Sequence, residues 1–441
     1  MVIRKKRKII KHKQRKHDTS WYLCLIYYTL LNSMGFFVGD TKIGVILITS
    51  LVVLMLIHYL IIHKWKIEFA KHQNYLIVYL ILFSTYCLLS ATWAVNQGYA
   101  AKQGINMFEI SFATIVIYLL FQSKNSIDDL LEIIMYGGLL FCLVVALFYG
   151  PVGLVQLFLT GGRVSEIANA NSLADYCLFS ALSAVYFIVR YKRKKLIFLL
   201  IPIAFMTILA GSRKVLISIV AAILLFFLLN ALGDKNKLRA FIKIFSAIAI
   251  TGLFILITSL IPSLHFIFER IESMLDTFLG NSKTDSSAMV RLQLQEIGLS
   301  LFKKHPYFGI GIDNAGIYGG IAFGFEKYYM HNNYVELLAD IGIIGTLLYY
   351  SIYIVILLKM LWHHKFHDYQ FNIMLTILLV HLFLDIGNVS YIDKTTYIYL
   401  IPMWVKACNL SSQKESSKRV KRVRRIKKIM VSNILMEPDN L

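Results

Sequence analysis

Acidic residues are scarce in this sequence: 25 Asp and Glu stand against 46 Lys and Arg over 441 residues, and charged residues of both signs make up only 16%. Proline is rarer still, at six, and cysteine numbers five. With 57% hydrophobic residues and a mean hydropathy of +0.63, there is too little polar surface to cover the core of a soluble chain of this length. The cysteines (Cys24, Cys87, Cys142, Cys177, Cys408) fall inside or at the ends of apolar runs and form no CxxC pair, which argues against a disulfide framework and a structural zinc site. No small-residue cleavage site follows the first apolar run, so the basic N-terminus flanks a retained anchor and is not a cleavable signal. No internal repeat is visible, which weakens a transporter built from inverted repeats.

What the sequence does contain is a series of apolar runs of roughly 17–25 residues, the length a helix needs to cross a bilayer. They predict an all-α polytopic membrane protein with about twelve spans, at 21–38, 42–62, 74–92, 105–122, 130–149, 172–189, 196–211, 213–231, 241–261, 332–358, 371–388 and 395–407. Between the ninth and tenth lies a long segment, 262–331. Basic tails at 1–20 and 408–441 complete the organisation: helices one to nine occupy 21–261, and helices ten to twelve occupy 332–407.

The net charge of +21 is concentrated in the tails: nine Lys/Arg precede Trp21, and ten lie from Lys406 onward. No aromatic or base-reading module accompanies them, so nucleic acid is not the expected partner; basic flanks of this kind stay cytoplasmic and attract anionic headgroups. Placing both termini inside puts 33 of the 46 basic residues in inner segments, including the 190–195 loop, and leaves 262–331 outside. The chain is expected in the cytoplasmic membrane, multi-pass, with both termini cytoplasmic.

Loops as long as 262–331 are usually functional. It predicts a helix over 286–304 with an apolar stripe of Val290, Leu294, Ile297 and Leu301, suited to lie on the outer membrane surface. Pro306 stops that helix, and Gly309 and Gly311 open a turn, which is no dinucleotide fingerprint because no strand precedes it. The loop ends in His331-Asn332-Asn333-Tyr334, where the tenth span begins. A helix N-terminus disfavours imidazolium, so His331 is expected neutral, the state a general base requires, with free N–H groups nearby for an anion. A histidine merely hydrogen-bonded at the membrane interface is the plainer alternative. Arg213, after the tight Gly211-Ser212 turn, places a cation at the outer start of span eight; Arg163 lies in the preceding outer loop. For both, snorkelling to lipid phosphate is the competing reading. Arginine forks suit diphosphate oxygens, and the first outer loop offers only Asp40 in place of a carboxylate pair for a metal.

These residues resemble the O-antigen ligase and O-antigen polymerase superfamily (the WaaL and Wzy proteins), most strongly over residues 200–350. Gly211-Ser212-Arg213 matches the family's Gly-Ser-Arg at the start of a span. Arg291 followed by His305-Pro306-Tyr-Phe-Gly309-Ile-Gly311 matches its second arginine and P-x-x-G-x-G turn, although the proline often found after the second glycine is missing. His331 to Gly345 matches its His-Asn-x-Tyr segment with downstream glycines, and Leu88-Leu-Ser-Ala-Thr-Trp-Ala-Val-Asn96 adds support. The resemblance implies a GT-C-like, metal-independent glycosyltransferase without cofactor, acting on undecaprenyl diphosphate-linked oligosaccharides. Arg213 and Arg291 would hold the diphosphate, His331 would assist the acceptor hydroxyl, and Arg163, Asn332, Tyr334, Gly309 and Gly311 would contribute to substrate binding. A polysaccharide polymerase, with a chain-length regulator protein as partner, is expected ahead of a ligase that delivers the glycan to another acceptor. A lipid-linked oligosaccharide flippase is the alternative from another class. It would want charges lining a mid-membrane path, and acids away from the span ends are few here (Glu109, Asp175, Asp385).

Overall fold

The computed structural model describes residues 17–37, 41–68, 74–123, 126–160, 162–164, 170–260 and 286–410. The two basic tails up to 16 and from 411, and loop residues 261–285, lie outside these. Among the described residues the structure is helical, without strands. The helices are α1 (Thr19–Phe37), α2 (Thr41–Ile62), α3 (Tyr75–Leu89), α4 (Gln97–Phe121), α5 (Ser126–Thr160), α6 (Ala170–Tyr191), α7 (Ile197–Ala210), α8 (Arg213–Leu232), α9 (Lys237–Leu260), α10 (Ser286–Lys304), α11 (Ala315–Phe323), α12 (Asn333–Trp362), α13 (Tyr369–Leu384) and α14 (394–410).

Each of the twelve expected spans falls on one of these helices, and α10 and α11 lie in the described part of the intervening segment. Seven are long and apolar enough to cross a membrane, namely α2, α3 with its terminal turn, α4, α5, α6, α8 and α12; α13 is apolar but shorter. Enclosure varies as expected of a bundle in lipid. Of the apolar window in α6, 72% is buried, against 22% in α2, whose Ile46, Leu54 and Ile61 face outward. Such bare apolar surface needs a hydrocarbon solvent. α6 packs on α5, α7 and α8, and α13 packs on α8 and α6, so these helices form the centre.

Alternate crossings give the bundle two ends. At the tail end, next to the basic tails, buried Asp128 accepts hydrogen bonds from Tyr186 Oη (2.6 Å), Tyr191 Oη and Gln370 Nε2 (2.7 Å). Arg193 pairs with Glu132 at 2.5 Å and Lys406 with Asp368 at 2.5 Å. At the opposite, loop end stand residues 286–331 and the starts of α6, α8, α12 and α14.

The apolar stripe of α10 is covered by protein. Leu294 and Leu301 are buried with Ile310, Ala315, Met330, Val335 and Ala339 in a small second core, and Val290 and Ile297 pack against it. The expectation that this stripe lies on the membrane is therefore corrected: α11 and the start of α12 occupy that face. A Cβ at Gly298 would come within 2.5 Å of Val335, so glycine there lets α10 approach α12 closely.

Candidate active site

The loop end is organised around a break in α12. At Gly342 the backbone leaves helical geometry (φ 64°, ψ −172°). A break frees carbonyls before it and amides after it, and inside a membrane these must find protein partners. Segment 306–311 supplies them. Ile343 N donates to Pro306 O (2.9 Å) and Ile344 N to Tyr307 O (3.3 Å), while Ile310 N donates to Ala339 O (3.0 Å) and Gly311 N to Asp340 O (2.8 Å). The two backbones touch, which only glycine permits. A Cβ on Gly342 would strike the Tyr307 carbonyl and lie 2.6 Å from Phe308 N, and one on Gly309 would strike the Asp340 carbonyl and lie 2.6 Å from Ile341 N.

A third motif locks into the same knot. Val95 N donates to Ile310 O (3.0 Å), Asn96 N to Asn314 Oδ1 (2.6 Å), and Ile312 N to Ser90 Oγ (3.0 Å). Buried Asp340 accepts from the amides of Asp313 (2.9 Å), Asn314 (3.0 Å) and Ala315 (2.6 Å), capping α11, and from Tyr391 Oη (3.0 Å). The three separate stretches 88–96, 306–314 and 339–345 are thus one hydrogen-bonded unit, which holds α12 at its break.

His331 stands two residues before that start, in the left-handed region at φ 54° and only 8% exposed. A non-glycine residue held there carries backbone strain that its surroundings must support. That support comes from the Glu336 carboxylate, which accepts from Met330 N at 2.7 Å, and from the flanking rings of Tyr328 and Tyr329, with centroids 5.6 and 4.0 Å from the imidazole. Burial, then the positive charges of Arg291 and Lys214, push the imidazole down to about 3, so the ring is neutral at any ordinary pH. Neutrality was expected from the helix N-terminus; burial and two cations are its actual source.

Arg291 on α10 and Lys214 on α8 thus act on the same ring from two elements far apart in sequence. Lys214 was not singled out from sequence, and its only signal was adjacency to Arg213 in Gly-Ser-Arg-Lys. Its Nζ donates to Gly387 O (2.8 Å) and to Asn388 Oδ1, both neutral oxygens. Arg213 begins α8, after Gly211 in left-handed geometry (φ 59°) closes α7; its side chain lies outside the described residues. Arg163 Nε donates to Ala210 O at 3.0 Å, tying the preceding loop to the end of α7, one residue before that turn.

The remaining expected residues are held by structural bonds. Asn332 caps α12, its Oδ1 accepting from Tyr334 N (3.0 Å) and Val335 N (3.2 Å), and Asn333 N donates to Asp385 O (2.8 Å). The first amides of α12 are thereby engaged, which corrects the expectation of free N–H groups for an anion. Tyr334 stacks on Tyr350 at 4.9 Å and donates to Leu382 O at 2.8 Å. Gly309 and Gly311 are buried in the knot.

Beside His331 opens a cavity of about 480 Å³ between α6, the 385–393 turn and α14. Tyr329 and Glu336 contribute to its wall, as do Asp175, His381, Asp385 and Asp393. Asn388 links it to the cationic side, because its Nδ2 donates to Asp175 Oδ2 (2.6 Å) while its Oδ1 accepts from Lys214. Among the described residues, no three His, Cys, Asp or Glu side chains are grouped to hold a metal ion.

Residues 196–350 match the sequence model of a family described as O-antigen ligase. The matched stretch contains Gly211 to Lys214, Arg291, the docked 306–311 segment, His331 and the break at Gly342. No curated protein matches the chain significantly.

Proposed function

We propose that the protein is a polysaccharide polymerase of the cytoplasmic membrane, a reading supported by the match of residues 196–350 to the model of a family described as O-antigen ligase. It moves a growing glycan from undecaprenyl diphosphate onto the next lipid-linked repeat unit at the outer face. The carrying observation is a buried, neutral imidazole beside two cations at the loop end. A neutral imidazole accepts a proton from a sugar hydroxyl, and guanidinium and ammonium groups favour diphosphate oxygens.

In the step this supports, the acceptor hydroxyl oxygen forms a bond to the anomeric carbon of the donor glycan. The bond from that carbon to the diphosphate oxygen breaks, and the diphosphate leaves with the electron pair toward Arg291 and Lys214. The hydroxyl proton passes to His331. Charge developing on the leaving group is stabilised by fixed cations, so the reading requires no metal. Arg213 joins the diphosphate side by its place in the Gly-Ser-Arg motif.

Purified protein in lipid nanodiscs, supplied with lipid-linked repeat units, tests this. Wild type should lengthen the glycan, and His331→Ala should slow single-turnover transfer by about 10²–10⁴-fold, as loss of a general base does, while leaving donor binding near wild type. Arg291→Lys should weaken donor binding although the charge is kept, because the bidentate fork is lost. A His331→Ala protein that turns over like wild type would end this mechanism. Transfer only to a different acceptor, with no lengthening, would make the protein a ligase.

A further inference from the structure

The 480 Å³ cavity is within the size range of small-ligand sites, and two of its lining residues each carry a side-chain atom without a partner. Asp175 Oδ1 and His381 Nε2 are buried without a hydrogen bond among the described residues. His381 is 4% exposed, and Asp385 Oδ1 lies 3.9 Å from its Nε2, beyond bonding reach. A buried polar atom left unpaired costs on the order of 1–3 kcal/mol. Two of them on residues that line one cavity mark a wall short of hydrogen-bond partners, which a small adjustment on ligand binding would supply.

The other carboxylates on the wall are already engaged. Asp385 accepts from Tyr350 Oη (2.9 Å) and Ser390 Oγ (2.6 Å), Asp393 from Thr395 N (3.0 Å) and its hydroxyl (2.9 Å), and Asp313 pairs with Lys327. Their charge repels an anion, so the cavity does not suit a phosphate or a uronic acid. What it offers is one acceptor, one imidazole nitrogen that donates or accepts according to tautomer, and a wall of Tyr176, Phe179 and Tyr399. Sugar rings present that complement: hydroxyls at the edge and C–H groups on the face.

We propose that this cavity is the subsite for an uncharged or cationic sugar ring of the acceptor, separate from the cationic site of the diphosphate. The inference rests on the glycosyl-transfer reading. Assignment to the acceptor follows from Tyr329, which lines the cavity and lies 4.0 Å, ring to ring, from His331. A ring held there lies one side chain away from the imidazole.

The test uses full-length protein in nanodiscs, a preformed long-chain donor at fixed concentration, and single repeat units on their lipid carrier, extracted from a strain lacking this protein. His381→Gln should raise the acceptor KM by about tenfold, one hydrogen bond's worth, with donor KM unchanged. Because Asn388 joins Asp175 to Lys214, donor KM is read on His381→Gln and Ser172→Phe alone; Asp175→Asn should raise the acceptor KM likewise. Ser172→Phe, at the cavity lip, should raise it further by filling space without touching either unpaired group. Correct insertion is checked by the unfolding transition of each variant. If all three keep the wild-type acceptor KM, or if donor KM rises in its place, the subsite assignment is wrong although the transfer reading stands. If wild type itself transfers nothing, the transfer reading fails.

Discussion

Replacing Gly342 by Ala attacks the point on which the site depends. At φ 64° and ψ −172° the residue occupies backbone space used almost only by glycine, at a cost of order 1–3 kcal/mol for any other. The added methyl also meets the Tyr307 carbonyl and Phe308 N, which are backbone atoms that cannot rotate aside. Segment 306–311 must therefore retreat, and four backbone hydrogen bonds to α12 go with it. At a net ~1 kcal/mol each, the total loss is roughly 5–7 kcal/mol, comparable to the whole stability of many domains. Gly150 is the control, because it also has positive φ (66°) but a Cβ there meets nothing within 4 Å. Gly150→Ala should cost only the conformational part. Thermal unfolding in one detergent should show a far larger loss for Gly342→Ala, together with loss of glycan transfer. Tryptic cleavage at the exposed Lys303 and Lys304, just before the docked segment, should become faster. Equal melting of the two variants, with normal transfer and unchanged cleavage, would refute the idea that this contact assembles the site.

Three further outcomes follow from the same geometry. Because His331 is held at about 3 against an ordinary 6.5, chiefly by burial, transfer should show no acid limb near 6.5, and Arg291→Gln should shift any acid limb upward only part of the way, since burial and Lys214 remain. In stability, the unfolded chain binds a proton at this residue below 6.5 that the fold does not, so His331's contribution is full above 6.5 and falls away from there toward 3; His331→Gln should flatten that part of the profile. Chelator treatment should leave transfer intact, and activity lost to chelator and restored by Mg²⁺ or Mn²⁺ would sink the arginine-based mechanism. Against a background of five buried native cysteines, Lys303→Cys should react with an impermeant thiol reagent added outside cells and Lys194→Cys should not; the reverse would invert the orientation.

Much of the architecture was legible because membrane helices announce themselves by length and apolarity alone. His331, Arg291 and the glycine turn were legible as motifs, but not as a joint structure. The break at Gly342 leaves no local mark, since a glycine among Ile341, Ile343 and Ile344 reads as one weak helical position. Its partners, Pro306 to Gly311, are remote in sequence, and pairing at that range is tertiary. The stripe on α10 shows a related limit: periodicity reveals that a face is covered but not what covers it. Likewise, Asn332 was placed at the helix start, yet only its cap geometry shows that the amides there are engaged.

The distribution of charge at the two ends argues for transfer over transport. Asp175 and Asp385 sit in the wall of the loop-end cavity, while Glu109 pairs with Lys394 at 3.7 Å. At the tail end the bundle is closed in this conformation by the bonds converging on Asp128 and by the Arg193–Glu132 pair. A translocation path needs polar groups in series across the membrane. Here they form two separate clusters, one at each end, and the loop-end cluster has Arg291 and Lys214 acting on a neutral imidazole beside a cavity lined by carboxylates. That arrangement suits two substrates that differ in charge at their reacting ends: a diphosphate held by Arg291 and Lys214, and an uncharged hydroxyl approaching from the acidic cavity. A single cargo moving past both would gain from one and be repelled by the other.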